Sequence, residues 1–159
     1  MPIETGQQAP DFTLYADTQE AWTLSEDGSG NNIVLLFFPG AFTGVCTAEM
    51  CNVNADLAEY RDLDATVVGI STDSPFVLKK FKEENGLGFS LLSDHDAQVS
   101  TTYGAKYDHD FTAMNLDRIA KRSAFVVDAD GVVRYAEVLE NAGEQPDFDA
   151  IQRTLQNLG

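Results

Sequence analysis

Two cysteines, Cys46 and Cys51, are the residues of this chain best suited to covalent chemistry. Cys46 follows Pro39-Gly40-Ala41-Phe42-Thr43-Gly44-Val45, just past the apolar run Ile33-Val34-Leu35-Leu36-Phe37-Phe38. With Thr43 as N-cap, Met50, Val53, Leu57 and Tyr60 recur at helical spacing, which predicts a helix ending near Asp62. Cys46 then sits in the first helical turn, where free N–H groups and the helix dipole favour an anion and should lower its pKa. A buried, merely packed thiol is the competing reading. Five residues of ideal helix place Cys51 about 140° around the axis from Cys46, with Cα atoms roughly 8 to 9 Å apart. That is beyond the roughly 7 Å reach of a disulfide. If the two are to bridge, the start of the helix must unwind.

The elements that must position these thiols follow from pattern. The 33–38 run is short, β-branched and aromatic, and reads as a central strand buried on both faces. Asp11 to Tyr15 and Ala21 to Leu24 predict an N-terminal β-hairpin, and Ser25 to Asn32 a turn or loop. Thr66 to Ser71 is a second apolar strand, so strand, helix and strand imply a right-handed parallel crossover. Ser74-Pro75 opens an amphipathic helix closing near Asn85-Gly86. Phe89 to Leu92 reads as a strand, Ala97 to Tyr103 as a short helix closed by Gly104, and Lys106 to Ala120 as a loop. Ala124 to Val127 and Val132 to Leu139 form a hairpin across Asp128-Ala129-Asp130-Gly131, and Asp147 caps a last helix with Phe148, Ile151, Leu155 and Leu158 on one stripe. The pattern is one α/β domain over residues 1–159, a mixed sheet with helices on both faces.

Pro39, Thr43 and Cys46 stand in a Pro-x-x-x-Thr-x-x-Cys pattern that resembles the peroxiredoxins, at a strand end that opens a helix, as in that family. Gly6 to Phe12, Val68 to Asp73, Leu91 to Asp94 and Arg122 to Asp128 are similar to further segments of the family. The resemblance implies a thioredoxin-like fold with an added N-terminal hairpin. It also implies a thiol-dependent peroxidase acting on hydrogen peroxide and organic hydroperoxides, without metal, haem or flavin. In that reading Cys46 is the nucleophile, Arg122 its electrostatic partner, and Pro39 a shield from water. The Thr43 hydroxyl either caps the helix or bonds a peroxide oxygen. Glu49 either holds Arg122 or serves only as an acid in the first turn. The C-x4-C spacing resembles the bacterioferritin-comigratory-protein type, whereas Gly44-Val45 resembles the one-cysteine type. Cys51 is accordingly either the resolving cysteine or a bystander. The implied cycle passes through a Cys46 sulfenic acid and a Cys46–Cys51 disulfide, and a thioredoxin-like reductant restores both thiols.

Composition narrows the partners. A net charge of −16, from ten Lys and Arg against 26 Asp and Glu, repels nucleic acid and anionic membranes. Aspartate-rich, lysine-poor composition resembles that of proteins from salt-loving organisms. The chain has no signal-like start and no stretch of the roughly 20 apolar residues that span a membrane, so a cytoplasmic setting is expected. A homodimer is compatible with the family. Among rival readings, a thioredoxin-type oxidoreductase needs C-x-x-C, and a zinc site would need Cys46, Cys51, His95 and His109 at a spacing no compact finger uses. A redox sensor, in which an oxidised Cys46 signals through the opened helix without turnover, requires the same thiol.

Overall fold

The structure, a computed structural model, describes residues 3–108 and 114–158. In chain order the elements are β1 (Thr13–Ala16), β2 (Ala21–Thr23), α1 (Leu24–Asp27), β3 (Asn32–Phe37), α2 (Gly44–Ala55), α3 (Leu57–Asp62) and β4 (Ala65–Ser71). Then come α4 (Pro75–Asn85), β5 (Ser90–Ser93), α5 (Gln98–Thr102), β6 (Ser123–Val127), β7 (Val133–Val138) and α6 (Phe148–Leu158). The strands form one sheet in the order β2-β1-β5-β4-β3-β6-β7. β3 pairs parallel with β4 and antiparallel with β6, so the sheet is mixed, as the sequence predicts.

Strand β3 is buried on both faces, and its pleat divides the core. Val34, Leu36 and Phe38 join Met50 and Val53 of α2, Leu57 and Tyr60 of α3, Leu78 and Phe81 of α4, and Ile151 and Leu155 of α6. Ile33, Leu35 and Phe37 face the other way, toward Leu24 of α1, Val99 of α5, Tyr103 and Phe125. Phe37, Tyr103 and Phe125 meet there with ring centroids 5.3 to 5.7 Å apart, and the Tyr103 hydroxyl donates to the Pro10 carbonyl at 2.7 Å.

The start and stop signals work locally. The Ser74 hydroxyl accepts from the Val77 N–H at 3.3 Å, and Gly86 closes α4 in the left-handed region at φ 60°. The Asp147 carboxylate accepts from the Ala150 N–H at 3.0 Å at the start of α6. Gly131 turns the β6–β7 hairpin at φ 84°.

Two expectations need correction. The helix beginning after Thr43 does not run to Asp62, because Asp56 (φ −100°, ψ 11°) separates α2 from α3. Asn52, Asn54 and Asp56 are weak helix formers that prefer to engage nearby backbone, and Asn54 is turned to another task. Its amide donates to the Gly86 carbonyl at 3.1 Å and its oxygen accepts the Gly88 N–H at 2.7 Å, fastening the end of α2 to the end of α4. The apolar period survives the break because α3 resumes with Leu57 and Tyr60 on the same side of the sheet. Secondly, the segment read as a loop from Ser25 carries α1, whose Leu24 is buried. The base of the Lys106–Ala120 loop is tied by a bridge between those two residues. His109, Asp110 and Phe111 lie outside the described residues. No helix among the described residues is long and apolar enough to cross a membrane.

Candidate active site

The sheet register brings together what lies far apart in sequence. Phe37 pairs with Ser123 across the antiparallel β3/β6 ladder, so Arg122, one residue before Ser123, lies level with the end of β3 where the chain turns toward α2. Cys46, the third residue of α2, points into the same corner. The Arg122 Nη2 donates to Cys46 Sγ at 3.2 Å and to the Ala142 carbonyl at 2.9 Å, and Nε reaches the same carbonyl at 3.3 Å. Its Nη1 donates to Glu49 Oε1 at 2.6 Å. Arg122 is 1% exposed, Cys46 1% and Glu49 0%, so the charges interact in a medium that screens them little.

Burial pushes the Glu49 carboxyl up to about 7 from an ordinary 4.5, against the opposing charge and hydrogen bond of Arg122. Burial pulls the other way on Arg122, but the charges of Cys46 and Glu49 and the bonds to them more than offset it and hold the guanidinium above its ordinary value. Arg122 is therefore a permanent cation in this corner. Glu49 Oε2 has no hydrogen-bond partner among the described residues. Glu49 is not an exposed acid of the first turn; it lies deeper in α2 and is buried against Arg122.

Thr43 precedes α2 in extended conformation, but its hydroxyl does not cap the helix. It donates to the Gly40 carbonyl at 2.8 Å, while the Thr43 carbonyl accepts from the Thr47 N–H at 2.9 Å and the Thr47 hydroxyl at 2.7 Å. Between Gly40 and Thr43 the chain passes through Phe42 at φ 67°, a conformation that costs a side-chain-bearing residue roughly 1 to 3 kcal/mol. The Phe42 ring is half exposed and stands edge-on to Phe81 of α4, with centroids 5.2 Å apart. Pro39 is buried before the turn.

A cavity of about 470 Å³ opens onto Cys46. Pro39, Gly40, Ala41, Thr43, Gly44 and Val45 form one side, Arg122, Ala142 and Gly143 a second, and Met114, Leu116 and Ile119 an apolar third. Asp73, just beyond β4, completes it. Of the six residues expected at the site, Pro39, Thr43, Cys46, Glu49 and Arg122 converge. Cys51 does not. Its half-buried Sγ lies 3.6 Å from Asn85 Oδ1 at the end of α4, on another face of the helix, and both cysteines are free thiols. His95 Nδ1 lies 3.2 Å from the Thr72 carbonyl, and no cluster of three metal-binding side chains occurs among the described residues.

Sequence reasoning does not find Asp73 or the Ala142 carbonyl. Asp73 is visible there only as part of a strand-like segment, and nothing in a side-chain pattern marks a backbone carbonyl as a partner for arginine.

The chain is similar to known proteins in both sequence and fold. A sequence model of the AhpC/TSA family matches residues 5–136. The chain is 35% identical over 134 residues to Peroxiredoxin Bcp of Escherichia coli (strain K12), covering 84% of this chain and 85% of that one. It is 36% identical over 148 residues to alkyl hydroperoxide reductase E of Mycobacterium tuberculosis (strain ATCC 25618 / H37Rv), covering 91% of each. The crystal structure of peroxidoxin BcpB from Mycobacterium tuberculosis superposes with a TM-score of 0.86 at 31% identity, covering 99% of each chain.

Proposed function

Because the chain belongs to the AhpC/TSA family, it is a peroxiredoxin, a thiol-dependent peroxidase with a thioredoxin-like fold, and we propose that Cys46 is its peroxidatic nucleophile and Arg122 the cation that serves it. The observation that carries this assignment is the 3.2 Å contact between Arg122 Nη2 and Cys46 Sγ at the floor of the cavity. A hydroperoxide enters, and the Cys46 thiolate attacks one peroxide oxygen. The S–O bond forms to the terminal OH oxygen as the O–O bond breaks, leaving Cys46 as sulfenic acid, and the departing alkoxide or hydroxide takes up the proton that the thiol gave up on ionising and leaves as alcohol or water. The fixed guanidinium stabilises the negative charge as it moves from sulfur to the departing oxygen. The Thr43 hydroxyl, its proton given to the Gly40 carbonyl, accepts from the peroxide O–H. Pro39 keeps bulk water from the sulfur, and Glu49 and the Ala142 carbonyl hold the guanidinium in place. Met114, Leu116 and Ile119 give an alkyl group an apolar wall, which suits organic hydroperoxides as well as hydrogen peroxide.

Cys51 resolves the resulting sulfenic acid. Its thiolate attacks Cys46 Sγ, the S–S bond forms as S–O breaks, and the hydroxide leaves as water; a thioredoxin-like dithiol then reduces the disulfide. The sulfur of Cys51 faces Asn85, so resolution requires the start of α2 to unwind. A cytoplasmic setting suits so reducible a cycle. The apolar Met114 and Leu116 exposed at the cavity, with Phe42 beside it, suit pairing with a second copy. The relatives, which bear the names of peroxide-reducing enzymes, give no support to a sensor without turnover.

The test is intact mass after one equivalent of hydrogen peroxide, with a sulfenic-acid trap, on the wild type and on Cys51→Ser. The expected result is loss of two hydrogens in the wild type and a trapped sulfenic acid at Cys46 in the variant. Trapped sulfenic acid in both would remove Cys51 from the cycle, and unreactive thiols in both would defeat the assignment of Cys46.

A further inference from the structure

Asp73 lines the same cavity as Cys46 and Arg122, and nothing in the cycle above uses it. Its carboxylate Oδ2 accepts the Ala41 N–H at 2.8 Å and the Ser71 hydroxyl at 2.7 Å. Its own backbone is fixed as well: the Asp73 N–H donates to Ser71 Oγ at 3.2 Å, and the Asp73 carbonyl accepts from the Ser93 hydroxyl at 2.6 Å. Ser71 and Ser93 are buried partners in register across β4 and β5, so Asp73 is braced by two strands of the sheet.

What it grips is the turn that carries Thr43. That turn needs an external hold, because Phe42 sits at φ 67° and only the Thr43–Gly40 bond closes it from within. Releasing Ala41 lets the turn relax toward an unstrained conformation, and the Thr43 hydroxyl and carbonyl move with it. A neutral acceptor would satisfy the Ala41 N–H. A carboxylate makes the stronger bond, at the cost of a negative charge in a cavity that must hold a thiolate. We propose that Asp73 is a positioning residue for the peroxidase reaction, holding the Gly40–Thr43 turn in its strained shape so that Thr43 meets the peroxide. The inference rests on the reading of Cys46 as peroxidatic nucleophile.

Its signature is selectivity. A misplaced turn weakens the transition state with peroxide and leaves the intrinsic reactivity of the sulfur toward other electrophiles unchanged. The experiment measures, on the full chain, single-turnover oxidation of Cys46 by hydrogen peroxide and alkylation of Cys46 by iodoacetamide, both by quenched mass spectrometry, for wild type, D73A and D73N. D73A is expected to slow oxidation by about tenfold or more and to leave alkylation within about twofold. D73N, whose amide oxygen still accepts the Ala41 N–H, is expected to return to within about threefold of wild type. The inference is overturned if D73A oxidises at the wild-type rate, if both reactions slow equally, or if D73N is as slow as D73A. Should D73A fold poorly, S71A, which frees the carboxylate to rotate, is expected to show the same selective loss at about threefold, and its equality with wild type in both reactions would overturn the inference. A wild type that peroxide does not oxidise defeats the underlying assignment of Cys46; a fast wild type with indifferent Asp73 variants defeats this inference alone.

Discussion

Glu49→Gln isolates the buried ion pair from the other carboxylates of an acidic chain. In the folded protein burial holds Glu49 at about 7, whereas an unfolded chain returns it to its ordinary 4.5. Between those values the folded state keeps a proton that the unfolded state has lost, so the stability contributed by this group falls as pH rises through that window. At 1.36 kcal/mol per pH unit, a separation of about two and a half units amounts to on the order of 3 kcal/mol. The amide that replaces the carboxyl in E49Q does not titrate, and its oxygen can still accept from Arg122 Nη1 at the place of the 2.6 Å bond. Asp94, also pushed up mainly by burial, titrates alike in both proteins and cancels in the difference. The assay is urea unfolding of the reduced proteins at intervals from pH 4.5 to 8. The expected outcome is that wild type loses stability relative to E49Q as pH rises from about 4.5 to about 7, with the difference levelling above that. Parallel stability curves would refute the claim that Glu49 holds a proton in the fold near neutrality. A difference growing in the opposite sense would show that the attraction of Arg122 outweighs burial.

Asn54→Ala removes both bonds that fasten α2 to the 86–88 segment and is expected to cost about 1 to 2 kcal/mol in urea unfolding, with faster amide exchange at Gly88; an unchanged midpoint and unchanged exchange would deny the clamp. The net charge of −16 leads to the expectation that Tm rises by about 5 °C or more between dilute buffer and molar potassium chloride, as salt screens the repulsion; a flat or falling Tm would count against a salt-adapted surface.

The parts of the fold that are legible in sequence are those whose signals are local. The unbroken 33–38 run, Ser74-Pro75, Gly86 and the turn at Gly131 each state their geometry in residue type. Cys46 in a first helical turn is legible for the same reason, since a strand terminator and an extended Thr43 define where the helix starts. The position of Arg122 is legible only through resemblance, because its contact with Cys46 spans 76 residues and depends on the β3/β6 register. The Asp56 break is hidden because a helix interruption that returns the same face to the sheet leaves the apolar period intact. The Thr43 hydroxyl passes for a cap because threonine before a helix looks the same whether it accepts from the first turn or donates to a carbonyl behind it. Asp73 is invisible as a site residue because the partner it selects is a backbone N–H.

The separation of α2 from α3 at Asp56 bears on how the thiol helix can open. With twelve residues in α2 and six in α3, the first can lose its helical bonds while the second keeps Leu57 and Tyr60 packed on the sheet. If α2 opens by itself, exposure of Cys46 is a sub-global excursion whose free energy lies below that of global unfolding. A single helix spanning residues 44–62 would have bound the two events together. On the proposed reading of Cys46, a break at this point would let the emergence of that thiol vary separately from the packing of α3 on the sheet.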